Sequence, residues 1–297
     1  MRWLSYASLL AGMMVVGAYV GFSKTLTLTF PIFVLATLRF AIAGVVLLPW
    51  TFGAALSKQQ TKAIVIQSFF GNFLFSIFLL YGVNLSSAMA GGLIMSTLPA
   101  AVALLSAVLL KERLTKLTWL AVAISVCAIG ILQFGSATSV AAPPIKNHFG
   151  LSHYFGNALL FCAVLCESIY IIQGKRLSGS MTANRNSALL NLAGLVFMLP
   201  FGLWQMRSFE FSQVSPSMWQ LLIAYAVAAS VLSTWLWLTG LKRVPASQAG
   251  VFSIGLPISA MFVGIVFLNE QLTVFHIVAL MFSVISLLLI TLQPKAD

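Results

Sequence analysis

The chain has 297 residues, of which 60% are hydrophobic and 7% are charged. This composition excludes an ordinary soluble domain, because such a domain has no need for so much apolar sequence, whereas about 20 consecutive apolar residues cross a bilayer. The net charge of +11 would suit nucleic acid in a soluble protein, but no basic cluster is interleaved with exposed aromatic residues, so we predict no nucleic-acid partner.

Ten apolar stretches follow one another along the chain, and we number them segments 1 to 10. They cover approximately residues 3–22, 31–51, 62–82, 88–110, 117–134, 153–173, 186–204, 217–240, 246–268 and 275–292. Segment 1 is too long for a signal peptide and lacks a small-residue cleavage site. We therefore predict an all-α polytopic membrane protein with ten transmembrane helices and a lipid bilayer as its surroundings.

Two internal repeats connect the halves of the chain. Residues 82–115 match residues 240–273 at a shift of 158, and earlier segments match at a shift of 151. The matched pairs are Gly82/Gly240, Ala88/Ala246, Gly92/Gly250, Leu98/Leu256, Pro99/Pro257, Val108/Val266, Leu110/Leu268, Glu112/Glu270, Leu114/Leu272 and Thr115/Thr273, then Ala7/Ala158, Leu9/Leu160, Tyr19/Tyr170, Lys24/Lys175, Val45/Val196, Leu48/Leu199 and Pro49/Pro200. We expect a first five-helix repeat at 1–134, a linker at 135–152 and a second five-helix repeat at 153–297.

Positive charge changes ends between the two copies. Lys111, Arg113 and Lys116 become neutral in the second copy, whereas Asn84-Leu85 becomes Lys242-Arg243. Short loops rich in Lys and Arg stay in the cytoplasm. The two repeats should therefore cross the membrane in opposite directions, which is the inverted-repeat plan of secondary transporters.

The basic residues also predict the orientation of the whole chain. With the N-terminus inside, twelve Lys and Arg residues lie at cytoplasmic ends, and Lys24, Lys146 and Arg207 lie on the other side. This bias places both termini in the cytoplasm and the protein in the cell (inner) membrane.

Arg39 is one of two ionisable residues predicted to lie inside the membrane. It lies roughly 12 Å into segment 2 at 1.5 Å per residue, on the same helical face as Ala36 and Ala43. The side chain is therefore expected to point at a neighbouring helix. It either holds an anionic group such as a substrate carboxylate, or has a structural role, bonding backbone carbonyls or reaching towards the membrane surface.

A polar stripe follows one face of segment 3. Ser68, Asn72 and Ser76 recur at positions i, i+4 and i+8, and the repeat partners of Asn72 and Ser76 are Ser230 and Thr234 in segment 8. Two interpretations stay open, since such residues either line a cavity on the pseudo-twofold axis or form hydrogen bonds between helices.

Pro99 and Pro257 interrupt segments 4 and 9 at matching positions. Paired broken helices indicate a transport site, and a kink can also free a carbonyl for a ligand. Met95, Ser96 and Ser253 lie in the turn before these prolines. A kink needed only for packing is the alternative.

Glu167 is the second ionisable residue within the membrane, in segment 6, with Tyr170 on the same helical face. A buried acid is a candidate for proton exchange, which makes protons a possible partner. It could instead pair with Arg39, despite a depth difference of roughly 9 Å by helical rise, or with Lys175 or Arg176.

The segments are rich in aromatic side chains and poor in charge, which predicts an amphiphilic cavity walled by segments 1, 3, 4, 6, 8 and 9. Such a cavity suits small-molecule substrates that are partly apolar, such as neutral or aromatic amino acids. The candidate substrate-binding residues are Tyr19, Arg39, Asn72, Met95, Glu167, Tyr170, Ser230, Trp235 and Ser253.

The chain resembles the EamA type of the drug/metabolite transporter superfamily. The resemblance rests on two five-segment halves, Leu38-Arg39-Phe40 in segment 2, and a proline followed thirteen residues later by Glu-x-Leu-Thr in each half. It covers nearly the whole chain and implies a ten-helix carrier, usually an exporter of amino acids or other small metabolites. We expect the motif acids Glu112 and Glu270 to cap or pair with the next helix.

No enzyme is predicted, because HExxH, paired-aspartate and nucleotide-binding glycine motifs are missing from the sequence. Cys162 and Cys166 are one helical turn apart without an accompanying His, so we predict apolar packing and no metal or cofactor. A channel-like or facilitative protein without ion coupling is the second functional class, and a membrane-embedded enzyme is the third.

Overall fold

The computed structural model describes residues 2–110, 115–138, 152–177, 181–241 and 250–291. Within these ranges all regular secondary structure is helical, and the helices follow the predicted segments in order. Most of the predicted linker, residues 139–151, lies outside the described residues.

Six of the ten segments form one α-helix each. For segments 1, 2, 5, 6, 7 and 10 these are Arg2–Thr29, Ile32–Leu47, Lys116–Thr138, Ser152–Leu177, Ala183–Met206 and Val274–Thr291. Segment 1 continues past its predicted end at residue 22, because the first residue that cannot continue a helix is Pro31, which precedes segment 2. Lys24 therefore belongs to the same helix as Tyr19.

Segments 3 and 8 each contain a π-helical turn. Segment 3 comprises Lys58–Ser68, the π turn Phe69–Leu74 and Phe75–Leu85. Segment 8 comprises Pro216–Val227, the π turn Ala228–Leu232 and Ser233–Leu241. Subtracting the repeat shift of 158 from 228–232 gives 70–74, so the two wide turns occupy corresponding positions.

Segments 4 and 9 are interrupted, also at corresponding positions. Segment 4 consists of Ala88–Met95 and Leu98–Leu110, with a bend of 42° between its two parts. In segment 9 a 3₁₀ turn, Gly250–Ile254, precedes the helix Gly255–Leu268. Each break comes just before the proline of its segment, Pro99 or Pro257. This proline lies in the first turn of the next helix, where its missing N–H is tolerated.

The described helices fit a polytopic membrane protein. Six of them are long and apolar enough to cross a membrane, the bent pair of segment 4 makes up to seven, and three shorter apolar helices cover Lys116–Leu132, Phe252–Leu268 and Val274–Leu289. These helices occupy the ten predicted segments, and ten crossings stay a prediction.

The two halves of the chain interlock. Segment 1 packs chiefly against segments 8 and 9, whereas segment 6 packs against segments 3 and 4. Segment 2 packs against segment 7, and segment 5 packs against segment 10. The first helix of each half is thus held by the other half, which brings Tyr19 and Tyr170 towards the centre of the bundle.

Two apolar cores surround that centre. One core joins segments 1, 3, 4, 5, 6, 9 and 10 and contains Val20, Leu79, Leu93, Met95, Leu160 and Leu256. The other joins segments 1, 2, 3, 7 and 8 and contains Leu26, Phe30, Phe40, Leu80, Met198 and Tyr225.

Candidate substrate site

Arg39 lies inside the bundle and is only 6% exposed. Its Nη1 donates a hydrogen bond to Ser76 Oγ at 3.3 Å. Its guanidinium carbon lies 4.8 Å from the ring centroid of Phe40 and 5.7 Å from that of Tyr225. Segments 2, 3 and 8 therefore meet at this cation, and its aromatic neighbours contribute cation–π attraction.

Glu167 and Tyr19 lie within electrostatic range of this cation, and Tyr170 lies within range of Glu167. The Tyr19 and Tyr225 rings are 5.8 Å apart, edge to face. Arg39 and Glu167 attract each other electrostatically, and Tyr170 and Tyr19 lie within range of the same carboxyl. We call these five residues the central cluster.

The two opposite charges of the central cluster are not directly paired. Between described side chains the ion pair within 4 Å joins Lys24 and Glu270, so Arg39 and Glu167 interact over a longer distance. Glu167 is half-buried, whereas Cys166 and Ser168 on either side of it are buried. The cluster therefore contains a cation and an acid that do not form a salt bridge with each other.

Several polar groups of segments 2 and 8 are buried without a hydrogen-bond partner among the described residues. They are Arg39 Nε, Tyr225 Oη and Ser230 Oγ. Buried polar groups in proteins are usually satisfied, so such groups suggest a bound solute or water. Arg39 in particular has several N–H donors left to offer an acceptor.

The side chains of the polar stripe on segment 3 bond to two different helices, segment 7 and segment 2. Ser68 Oγ and Asn72 Nδ2 both donate to the backbone carbonyl of Leu190 in segment 7, at 2.9 and 2.6 Å. Asn72 also packs against Gly194 and is 9% exposed. Asn72 thus joins two helices in this structure, as in the packing alternative, whereas Ser76 belongs with Arg39.

Three other candidates lie outside the central cluster. Met95 is buried in an apolar core, Ser253 is half-buried in the 3₁₀ turn of segment 9, and Trp235 is 60% exposed. Near the break in segment 4, the hydroxyls of Ser96 and Thr97 donate to the carbonyls of Leu93 and Ile94. These bonds occupy the last carbonyls of the first helix, whereas the carbonyl that Pro99 itself leaves without a helical N–H donor is that of Met95, four residues earlier.

Sequence reasoning left one member of the central cluster, Tyr225, out of the candidate list. The chain has several intramembrane tyrosines, and periodicity alone does not distinguish one beside a cation from one that faces lipid. Its place beside Arg39 results from the packing of segment 8 against segments 1 and 2, for which the sequence carries no signal.

The expectation that Glu270 caps or pairs with the following helix is wrong. The Glu270 carboxylate instead accepts hydrogen bonds from the backbone N–H groups of Ala88 and Met89, at 2.7 and 3.0 Å, and forms the 3.2 Å ion pair with Lys24. The cause is the chain reversal at Asn269, which has a left-handed backbone, so Glu270 turns towards segment 4 of the other half. Glu112 lies outside the described residues.

Comparison with known proteins identifies the relatives of this chain. The EamA-like transporter family matches residues 3–134 and 154–292. The uncharacterized transporter YetK of Bacillus subtilis is 35% identical over 282 residues, covering 93% of this chain and 83% of the relative. The uncharacterized transporter YyaM of the same organism is 24% identical, covering 85% and 82% of the two chains.

One solved crystal structure has a similar fold, with a TM-score of 0.65 at 16% identity and 98% coverage of both chains. This likeness concerns the fold alone. The matches over both halves of the sequence and the 35% identity over 93% of this chain establish the family. The chain belongs to the EamA-like transporter family and is a multi-pass membrane protein.

Proposed function

We propose that the protein exports small zwitterionic metabolites, such as neutral or aromatic amino acids, by alternating access. The observation that carries this proposal is the central cluster, where a buried cation and an acid attract each other without a direct ion pair. Arg39 would bind a carboxylate through its planar donor fork, and Glu167 would bind an ammonium group. Tyr19, Tyr170 and Tyr225 would contact the apolar part of the solute.

Alternating access requires two units that move relative to each other, and we propose residues 1–134 and 153–297 as those units in an inverted arrangement. The matching π turns and matching breaks support this division. The exchange of charged residues between the copies supports opposite orientations, with both termini in the cytoplasm. In this topology Lys24 and Glu270 lie on the extracytoplasmic side.

Facilitative or channel-like transport without ion coupling is the alternative mechanism. Glu167 favours proton coupling, because a carboxyl beside a substrate site can exchange a proton as the site opens to either side. The two mechanisms differ in whether a pH gradient drives accumulation against a substrate gradient.

Uptake and efflux of labelled metabolites in proteoliposomes test the substrate class. Each amino acid is compared with the amine that lacks its carboxylate. We expect the intact protein to transport the amino acid, and Arg39→Lys to reduce its apparent affinity roughly tenfold, equivalent to about 1.4 kcal/mol, because an ammonium cannot bind a carboxylate in the bidentate geometry.

The control for this substitution is Arg207→Lys, since Arg207 is an exposed cation beyond the end of segment 7. It should transport like the parent. Equal transport of the amino acid and the amine by the unchanged protein would show that Arg39 does not recognise a carboxylate.

A further inference from the structure

Polar contacts join the two halves of the protein at the end of the bundle where segment 1 ends and segment 4 begins. Lys24 Nζ donates to the Ser86 carbonyl at 2.7 Å and to Glu270 Oε1 at 3.2 Å. The other Glu270 contacts are the N–H groups of Ala88 and Met89. We call these five residues the Lys24–Glu270 latch.

The local structure of segment 9 holds Glu270 in this position. Asn269 ends the helix in a left-handed conformation, and the Glu270 N–H donates to the Gly264 carbonyl at 2.9 Å. The Glu270 N–H thus satisfies a carbonyl near the end of this helix. A Cβ on Gly264 would lie 2.6 Å from Glu270 Oε2, so a larger residue there would displace the carboxylate from this position.

The latch satisfies helix-end groups of one half with a side chain of the other. The first N–H groups of an α-helix have no partner within the helix. In segment 4 the first two bond to Glu270, and the third bonds to Ser87 Oγ at 2.9 Å. The positive end of this helix and the Lys24 ammonium therefore both attract the Glu270 carboxylate.

A second contact between the halves lies beside the latch. Ser86 Oγ donates to Asn157 Oδ1 at 2.5 Å, which joins the start of segment 4 to segment 6. Below the latch, Gly92 contacts Ala260 so closely that a Cβ would overlap its side chain. At this end of the bundle segment 4 is therefore in direct contact with segments 6 and 9 of the other half.

The latch lies between the central cluster and this end of the bundle. Lys24 follows Tyr19 by five residues in one helix, or about 7.5 Å along the axis at 1.5 Å per residue. Its two charged side chains keep 22% and 10% exposure, so water can replace these hydrogen bonds when the halves separate.

We infer that the Lys24–Glu270 latch is the gate at this end of the transport path, closing when segment 9 docks on segments 1 and 4 and opening when they part. This inference rests on the proposed transport function, because a gate has a role only where a solute path exists. Neither Lys24 nor Glu270 touches the central cluster in this structure, so their role is to set which side of the membrane the cluster faces.

Cysteine labelling tests the gate without any substrate. The reporter is Tyr19→Cys in a chain whose native cysteines, Cys127, Cys162 and Cys166, are replaced by alanine. A membrane-impermeant maleimide is then applied to each side of proteoliposomes, and the labelling of this cysteine is measured. Glu270→Gln should raise labelling from the Lys24 side roughly tenfold, because a neutral glutamine cannot form the ion pair with Lys24. A tenfold change in an equilibrium corresponds to about 1.4 kcal/mol.

Matched variants separate the gate from a general charge effect. Lys24→Gln should raise labelling like Glu270→Gln, whereas Lys24→Arg should resemble the parent. Glu210→Gln is the control, since Glu210 is exposed and bonds Gln213 of its own loop. Unchanged labelling in both Glu270→Gln and Lys24→Gln would overturn the inference.

A disulfide across the halves gives an independent test. Ser86→Cys with Asn157→Cys, in the chain without its native cysteines, should stop transport on oxidation and regain it after reduction. Transport that continues with the disulfide fully formed would show that this end does not open. If no metabolite is transported by any variant, the proposed function fails, and the labelling result still decides whether the latch closes this end.

Discussion

At the scale of single residues, the centre of the bundle combines a symmetric pair with two asymmetric charges. Tyr19 and Tyr170 correspond under the shift of 151, but the residues that correspond to Arg39 and Glu167 are Leu190 and Val16. Each half therefore supplies one charge of a different sign. A solute with unlike ends would bind such a site in one orientation, which suits a zwitterion.

Substitution of Glu167 tests whether its carboxyl exchanges the coupled proton. Glu167→Gln keeps the size and hydrogen bonding of the side chain but cannot titrate. If Glu167 carries the coupled proton, the variant should lose accumulation driven by a pH gradient while substrate counterflow continues. Both are measured with the same labelled amino acid in proteoliposomes.

The control is Glu210→Gln, an exposed acid remote in sequence from the central cluster, which should behave like the parent. Normal pH-driven accumulation by Glu167→Gln would assign the acid to ammonium binding or structure. In that case the facilitative mechanism, or coupling through another group, takes its place.

Residue types predicted part of the site. Arg39 and Glu167 were identifiable from sequence because a charge within an apolar segment is costly and seldom lacks a role. The partners were not identifiable, since a helical stripe gives the direction of a side chain within its own helix and not the neighbour that it meets. This is why Asn72 and Ser76, on one stripe, contact different helices.

At the scale of elements, the irregular turns matter more than the regular helices. Both π turns and both interrupted helices occur at repeat-related positions. π turns are rare and occur mostly as single turns inserted into α-helices, frequently at functional sites. Here one π turn contains Asn72 and the other contains Ser230, whose hydroxyl has no partner among the described residues.

The close packing of segments 4 and 9 at Gly92 can be tested by substitution. A Cβ at this position would overlap the side chain of Ala260, which has no flexible end that can move away. Gly92→Ala should therefore destabilise the folded protein by about 1–3 kcal/mol, the usual cost of overpacking. The measurement is thermal unfolding of the purified protein in detergent.

Gly44 is the matched control, since it also lies within a helix but has open space around the Cβ position. Gly44→Ala should leave the unfolding temperature unchanged or raise it, because alanine favours the helix by about 1 kcal/mol. Equal unfolding temperatures for the two variants would mean that segments 4 and 9 tolerate separation at Gly92.

At the scale of the whole molecule, each half holds the first helix of the other. Segment 1 packs on segments 8 and 9, and segment 6 packs on segments 3 and 4. Tyr19 and Glu167 therefore reach the centre from opposite halves. Relative movement of the halves would change the distance between them, so the proposed substrate site and the proposed moving interface would share the same helices.

Reporter fusions test the inverted arrangement. Fusions after Lys116 and after Arg243 should report cytoplasm, because basic residues cluster at both positions, whereas a fusion after Glu270 should report the opposite side. The activity of reporters that work on only one side of the membrane is measured in cells. A cytoplasmic signal after Glu270 would contradict opposite orientations of the repeats.

The sequence by itself determined the fold class, the order of the segments and the family. Apolar length, repeated motifs and the distribution of Lys and Arg carry this information locally, because the bilayer imposes the same length and charge rules on every helix. It also indicated where segments 4 and 9 break, since each proline restricts the residue before it.

Only the tertiary structure decided which side chains meet. Tyr225 beside Arg39, Asn72 on the Leu190 carbonyl and Glu270 on the start of segment 4 all join residues far apart in the chain. Each contact depends on the rotation and packing of two or more helices about their axes. In an apolar segment these are set by close packing with neighbouring helices, which the pattern within a single segment does not contain.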